Sequence, residues 1–292
     1  MQEIFCGRYS IGIVQYFITL ILAGAPQGDL KKDIHVPAGY GVVKKMDKII
    51  RITLGLIIVL LVAFVASVTY TGFVEHAYRT SLSSNYDYSC TITTDSQLTN
   101  VTLFIPVPSD RVGNSPIVAQ YSAQEIVGSP ADWKITLFDT GKATLAKITT
   151  PAIIPPPGTN PSHPFIIRLS INKDSKEVIN TVSPIEQGVM FRPVQDMQKV
   201  TCPAKNTEVT GDPACYRYLI PVYADYQAPM NASVLITSNL QGKNSWKIFD
   251  PQFNEYQAEI SILMFGENHG WTVMKGTLES NMGTNNVPVS PS

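Results

Sequence analysis

The chain has 292 residues, of which 15% are charged and 44% are hydrophobic, and its formal net charge is −1. The near-neutral balance gives no electrostatic case for nucleic-acid binding, and the apolar content excludes a wholly disordered chain. Four cysteines and four histidines are too few for a disulfide-dense small scaffold or a metal-rich domain. None of these numbers indicates a specific biochemical activity.

The first 45 residues allow three interpretations. The apolar segment Ile11 to Ala25 would be about 22 Å long as a helix, which is short for a membrane span. It is either a thin first span or the hydrophobic region of a signal peptide that ends at Ala23-Gly24-Ala25. In the third interpretation, which we prefer, translation begins at Met46 and the following apolar run is a signal-anchor.

The strongest signal is an uncharged stretch of 23 residues between Arg51 and Glu75. As a helix it would measure about 34 Å, enough to cross a hydrocarbon core. Backbone polar groups in lipid must be satisfied within the segment, which requires a helix. We therefore predict a transmembrane helix over residues 49–74, with the lipid bilayer as its partner. The alternative is a signal peptide cleaved near Val65-Ala66-Ser67, although the apolar run exceeds the usual length of one.

The charges on either side of this stretch predict its orientation. Residues 1–51 carry seven Lys and Arg against four Asp and Glu, a net charge of +3, and the remainder carries fifteen against nineteen, a net charge of −4. Positive residues favour the cytoplasmic side. We therefore expect a single-pass protein of the cell membrane, with residues 1–48 in the cytoplasm, or wrongly assigned to the protein, and everything after residue 75 outside the cytoplasm.

The part after the span predicts an all-β domain. Residues 75–85 are predicted as a polar stalk, and residues 86–280 alternate short β-like runs with turn residues, as in an antiparallel β-sandwich. Two hairpins are predicted, one with Asp139-Thr140-Gly141 at its turn and one bracketed by Gly266 and Gly270. Residues 281–292 are polar and are predicted as a disordered tail.

Cysteines and glycosylation sequons fall in the predicted outside domain. Cys202 and Cys215 flank a loop rich in turn residues and are predicted to form a disulfide. Cys90 lies on the apolar face of its strand and is predicted as a buried free thiol. Asn100 in Asn-Val-Thr and Asn231 in Asn-Ala-Ser match the N-glycosylation pattern and are predicted acceptors.

Motifs that carry chemistry are scarce. The Asp139-Thr140-Gly141 run resembles an aspartic-protease motif, but no second copy exists and a hairpin turn explains it. His76, His163 and His269 have no metal-ligand spacing, and no nucleophile elbow or phosphate loop occurs. We assign no catalytic, cofactor-binding or metal-ligating residue and predict no cofactor.

Aromatic residues are the remaining candidates for a binding surface. Tyr216 and Tyr218 share a strand face with Ile220 and Val222, whereas Tyr223 falls on the opposite face. This tyrosine-rich run, which extends to Tyr226, is either a binding surface or core packing, and core packing is preferred. The tryptophans are also predicted in or near the core: Trp133, Trp246 and Trp271.

The C-terminal region carries one resemblance. Its motif residues are Asn244, Trp246, Asn254, Tyr256, Gly266, Gly270, Trp271 and Gly276, and the run NVTLFIPVP adds to the pattern. In these residues the chain resembles uncharacterised membrane-anchored surface proteins of methanogen-type archaea. The resemblance implies a surface location and a similar fold, and it implies no activity.

The sequence therefore favours a membrane-anchored extracytoplasmic β-domain that acts as a binding, adhesion or cell-envelope module, with a protein or glycan partner outside the cell and no nucleic acid. We expect no enzyme activity because no catalytic motif is found. The alternative is a membrane-tethered hydrolase whose site is assembled from distant loops. A purely structural envelope protein is a third interpretation.

Overall fold

The computed structural model describes residues 41–123, 125–141, 143–203 and 212–284, with residues 41–49 described by their backbone alone. The apolar segment Ile11 to Ala25 and most of the predicted tail, residues 285–292, lie outside the described residues. The chain divides into two compact units between Val65 and Ala66. The β-strands of the described residues all belong to the second unit.

The first element is a long apolar helix, α1, over Gly41–Ser81. Within its stretch Ile50–Ser81, the most apolar window of 18 residues has a mean hydropathy of 2.7, and no residue of that window is buried inside the protein. By length and composition this helix is able to span a membrane. Residues 75–81, for which the sequence predicts a stalk, form the last two turns of α1.

The rest of the described chain is an all-β domain, as the sequence predicts. Two helices of one turn, α2 and α3, interrupt ten strands. Strand β1 begins within the predicted stalk and β10 ends within the predicted tail. In chain order the elements are β1 Ser83–Thr94, β2 Leu98–Pro106, α2 Val118–Ser122, β3 Lys134–Asp139, β4 Thr144–Ile153, β5 Phe165–Ser175, α3 Pro184–Gln187, β6 Gln195–Val200, β7 Ala214–Gln227, β8 Ser233–Lys247, β9 Pro251–Phe265 and β10 Asn268–Gly283.

The strands form one curled antiparallel sheet in the order β3-β4-β2-β7-β10-β9-β8-β1-β5, and β6 pairs with β7 beside β2. The β9–β10 ladder covers only Asn254–Ser261 and Lys275–Gly283. Beyond it, β9 stays paired with β8 to Phe265 and β10 stays paired with β7 to Asn268. The sheet therefore divides at this end into two layers that enclose one core, the arrangement of a sandwich.

The core follows from the alternation of side chains along the strands. On β7 the even-numbered residues from Tyr218 to Tyr226 are buried, and Tyr223 points to the outer face, as predicted. The free thiol of Cys90 is buried on the inner face of β1, which is also as predicted. Trp246 is buried and Trp133 packs against the core from its rim.

The predicted β3–β4 hairpin is present. In the β3–β4 turn, the Asp139 carboxylate accepts a hydrogen bond from the Gly141 amide at 2.8 Å, so Asp139 stabilises the turn. Strands β9 and β10 are also consecutive and antiparallel, but they pair with each other only from Ser261 and Lys275 onward, so their connection is not the predicted tight turn. In this connection, Gly266 has a φ of +70°, a conformation that favours glycine. The predicted disulfide between Cys202 and Cys215 is also present and joins the loop before β7 to the start of that strand.

Candidate ligand-binding surface

An aromatic stripe crosses the outer face of one layer of the sheet. It consists of Phe138 on β3, Lys147 on β4, Phe104 on β2, Tyr223 on β7 and Trp271 on β10. Phe104 is the register partner of both Lys147 and Tyr223, and Tyr223 is the partner of Trp271. Five adjacent strands at a spacing of about 4.8 Å make the stripe about 19 Å long.

The rings of the stripe contact one another edge to face. Ring centroids lie 5.4 Å apart for Phe138–Phe104, 5.4 Å for Phe104–Tyr223 and 5.6 Å for Tyr223–Trp271. The Lys147 Nζ lies 5.5 Å from the centroid of the Phe104 ring. Such contacts order the rings relative to one another before any ligand arrives. Trp271 and Phe138 at the two ends remain 64% and 50% exposed.

Polar groups border the Trp271 end of the stripe. The Tyr223 hydroxyl donates a hydrogen bond to Asp225 Oδ2 at 3.3 Å, and His269 Nδ1 lies 2.8 Å from Asp225 Oδ1. Glu267 Oε2 lies 3.7 Å from His269 Nε2. The hydrogen bond to Asp225 raises the pKa of His269, and the charges of Asp225 and Glu267 act in the same direction. This end therefore offers both donors and acceptors to a ligand.

The prediction that Trp271 packs in or near the core is wrong. Met274 and Leu278 fill the inner face of β10, and a period of two places Trp271, Val273 and Lys275 on the outer face. The alternation of side chains along β10 already indicates that Trp271 lies on the outer face, although Gly270 and Gly276 interrupt the pattern. Phe104 and Phe138 were not predicted as site residues, because no local pattern in the sequence shows that β2 and β3 lie near β7 and β10.

Two concave surfaces lie elsewhere in the domain. A polar depression of about 290 Å³ on the outer face of the other layer is lined by Asp87, Ser89, Arg168, Asn239, Gln241 and Gln257, among others. A second hollow, of about 330 Å³, lies beside α2 and β3 and includes Tyr121, Trp133 and Ile135 in its lining. Neither surface combines exposed aromatic rings with hydrogen-bonding groups to the extent that the stripe does.

The remaining predicted site residues do not converge on the stripe. Asn100 is exposed on β2, where its side-chain amide donates to Gln227 at 3.3 Å, and Asn231 is exposed before β8. Both glycosylation sites stay predictions. His76 is exposed on α1, and His163 is exposed in the proline-rich loop between β4 and β5, residues 154–164. Within the described ranges, no group of three His, Cys, Asp or Glu side chains is placed to hold a metal ion.

The fold and the surface thus define the class of molecule: an all-β domain that follows a helix able to span a membrane. Comparisons of the chain with protein-family models, with curated proteins and with solved structures find no match.

Proposed function

We propose that this protein is a single-pass membrane protein whose β-domain lies outside the cytoplasm and binds an extended carbohydrate through the aromatic stripe. The observation that carries the proposal is the row of mutually ordered aromatic rings, with Trp271 64% exposed at one end. The exposed apolar helix supports the anchor, and the Cys202–Cys215 disulfide supports an oxidising compartment.

The chemistry of the stripe matches the two kinds of surface that a sugar presents. A pyranose ring has apolar C–H faces, which pack on aromatic rings, and hydroxyl groups at its edge, which form hydrogen bonds. The exposed rings of Trp271 and Phe138 offer the apolar surface, while Asp225, His269 and Lys147 offer the hydrogen-bonding groups. Hydrogen bonds to charged groups are stronger than those between neutral groups, so this border favours a polyhydroxylated ligand.

The dimensions of the stripe favour a slender ligand over a folded protein. A stable protein interface buries about 800 Å² on each partner around a broad apolar centre. The row of rings is about 19 Å long, exposed Val273 lies beside Trp271 on the same face, and the polar pair of His269 and Asp225 adjoins it. This geometry suits a chain of a few sugar units better than a protein surface.

The test is binding of the full-length protein, in detergent, to an array of neutral and acidic oligosaccharides, followed by titration of the strongest binder. Trp271→Ala should weaken that binding about 30-fold, the effect expected for an interface tryptophan worth about 2 kcal/mol. Phe265→Ala is the matched control, because Phe265 is 69% exposed near the same end of the sheet but lies outside the stripe.

Phe265→Ala should leave the affinity unchanged. The proposal also expects binding without turnover, so the bound oligosaccharide should be recovered intact. Equal affinities for the wild type and Trp271→Ala would contradict the role of the stripe. Cleavage of the oligosaccharide by the purified protein would instead favour a membrane-tethered hydrolase.

A further inference from the structure

The connection between β8 and β9 lies against the C-terminal end of α1. The Ser81 hydroxyl donates to the Lys247 carbonyl at 3.0 Å and accepts from the Lys247 amide at 2.9 Å. One turn earlier, the Tyr78 ring meets the Trp246 ring edge to face at 5.6 Å. These contacts are all within the second unit of the chain, so the end of α1 is fixed to the β8–β9 hairpin.

The tip of this hairpin, residues 248–250, carries an aromatic side chain that the domain does not cover. Phe249 is 61% exposed, and its ring centroid lies 5.9 Å from that of Phe73. Phe73 is the second residue before Glu75, the first charge after the uncharged stretch. At 1.5 Å per residue, Phe73 therefore lies about 3 Å along the axis from the charged end of the apolar helix.

We propose that the tip of the β8–β9 hairpin is a second membrane anchor, in which Phe249 enters the interfacial layer of the lipid bilayer beside Phe73. The inference rests on the membrane span of the proposed function. Lipid is the occupant because Phe249 continues the apolar surface of α1, and because exposed aromatic side chains are favoured at the boundary between the hydrocarbon and the headgroups.

The residues around Phe249 fit such a position. Lys247 and Asp250 are exposed and charged, so they remain in the headgroup layer while the ring between them enters it. Tyr70, also exposed, lies one turn from Phe73 and adds a second interfacial aromatic on the helix. Two attachments, α1 and the hairpin tip, would restrict rotation of the domain about the helix axis.

The experiment places an environment-sensitive nitrobenzoxadiazole label at one cysteine of the full-length protein in phosphatidylcholine–phosphatidylglycerol vesicles. The variants are Phe249→Cys, Phe265→Cys and Val59→Cys, each with Cys6→Ser. Cys202 and Cys215 are joined in the disulfide. Cys90 needs no replacement, because burial raises the pKa of its thiol to about 11 and keeps it from the reagent.

Phe265 is the matched control because it is similarly exposed and lies at the opposite end of β9. Val59 lies within the apolar span and reports on insertion of the helix. We expect blue-shifted emission and quenching by a lipid-borne nitroxide at positions 249 and 59, and water-like emission at 265. Water-like emission at 249 together with apolar emission at 59 would overturn the hairpin anchor and leave the span intact. Water-like emission at 59 as well would overturn both.

Discussion

The Asn244 side chain makes four hydrogen bonds in the core of the β-domain. It is fully buried, and its Oδ1 accepts from the Ser84 hydroxyl at 2.7 Å and from the Ile179 amide at 2.9 Å. Its Nδ2 donates to the Ile179 carbonyl at 2.8 Å and to Asn254 Oδ1 at 2.7 Å. One side chain therefore ties β1, β8, β9 and the segment before α3 together. The network also gives Asn254 a structural role, because its Oδ1 is one of the acceptors.

Asn244→Ala should lower the free energy of unfolding by about 3 kcal/mol, because it leaves buried donors and acceptors without partners. Urea denaturation followed by near-ultraviolet circular dichroism measures the change. Asn172→Ala is the control, since Asn172 is exposed on β5 and its loss should change the free energy by no more than about 0.5 kcal/mol. Equal effects of the two substitutions would contradict a structural role for the Asn244 network.

His269 is the imidazole at the border of the stripe, where it contacts the carboxylates of Asp225 and Glu267. The hydrogen bond to Asp225 raises its pKa above 6.5. A raised pKa in the folded state means that the contact stabilises the protein fully below the unfolded pKa of about 6.5, and that this contribution is lost as the pH rises through the folded value. Asp225→Asn should return the His269 pKa toward 6.5, as followed by the imidazole proton signals in an NMR titration. An unchanged midpoint in the variant would show that Asp225 does not control His269.

At the scale of elements, local patterns in the sequence predicted where strands lie but not which strands pair with one another. Alternating β-branched and aromatic residues identify β1 and β7, and glycines at positive φ mark the turns, because these signals depend only on nearby residues. The pairing of β1 with β8 and of β2 with β7 joins segments more than 100 residues apart. The stripe depends on that strand order, which is why Tyr223 was a candidate and its neighbours Phe104 and Phe138 were not.

The Cys202–Cys215 disulfide was predicted from the sequence and is present in the structure. It closes a loop with a sequence separation of 13, next to the pairing of Val200 with Cys215 between β6 and β7. Because the closed loop restricts the unfolded chain, the disulfide should raise the free energy of unfolding by about 3 kcal/mol. Reduction of the wild type should lower the urea midpoint accordingly, whereas reductant should have no effect on the Cys202→Ser/Cys215→Ser variant. Identical midpoints for the oxidised and the reduced wild type would contradict this contribution.

At the scale of the whole molecule, the proposed ligand surface and the proposed lipid contact lie toward opposite ends of the sheet. The β8–β9 hairpin contacts α1 through Lys247, and β8 then extends over 15 residues to Ser233, a length of about 46 Å. Ser233 pairs with Phe265, and Trp271 follows six residues later on β10. A ligand bound at Trp271 would therefore meet the domain far from the end of the helix, where an extended polymer has free access.

The charges beside α1 predict on which side of the membrane the β-domain lies. The cluster Lys44, Lys45, Lys48 and Arg51 precedes the uncharged stretch, and positive residues near a span stay in the cytoplasm. An epitope placed after Ser292 should therefore be stained on intact cells, whereas one placed before Met1 should be stained only after permeabilisation. Loss of the N-terminal epitope from the mature product would indicate cleavage or a start at Met46, and it would leave the C-terminal result unchanged. A C-terminal epitope that needs permeabilisation would place the β-domain in the cytoplasm and remove the basis for a ligand of the cell envelope.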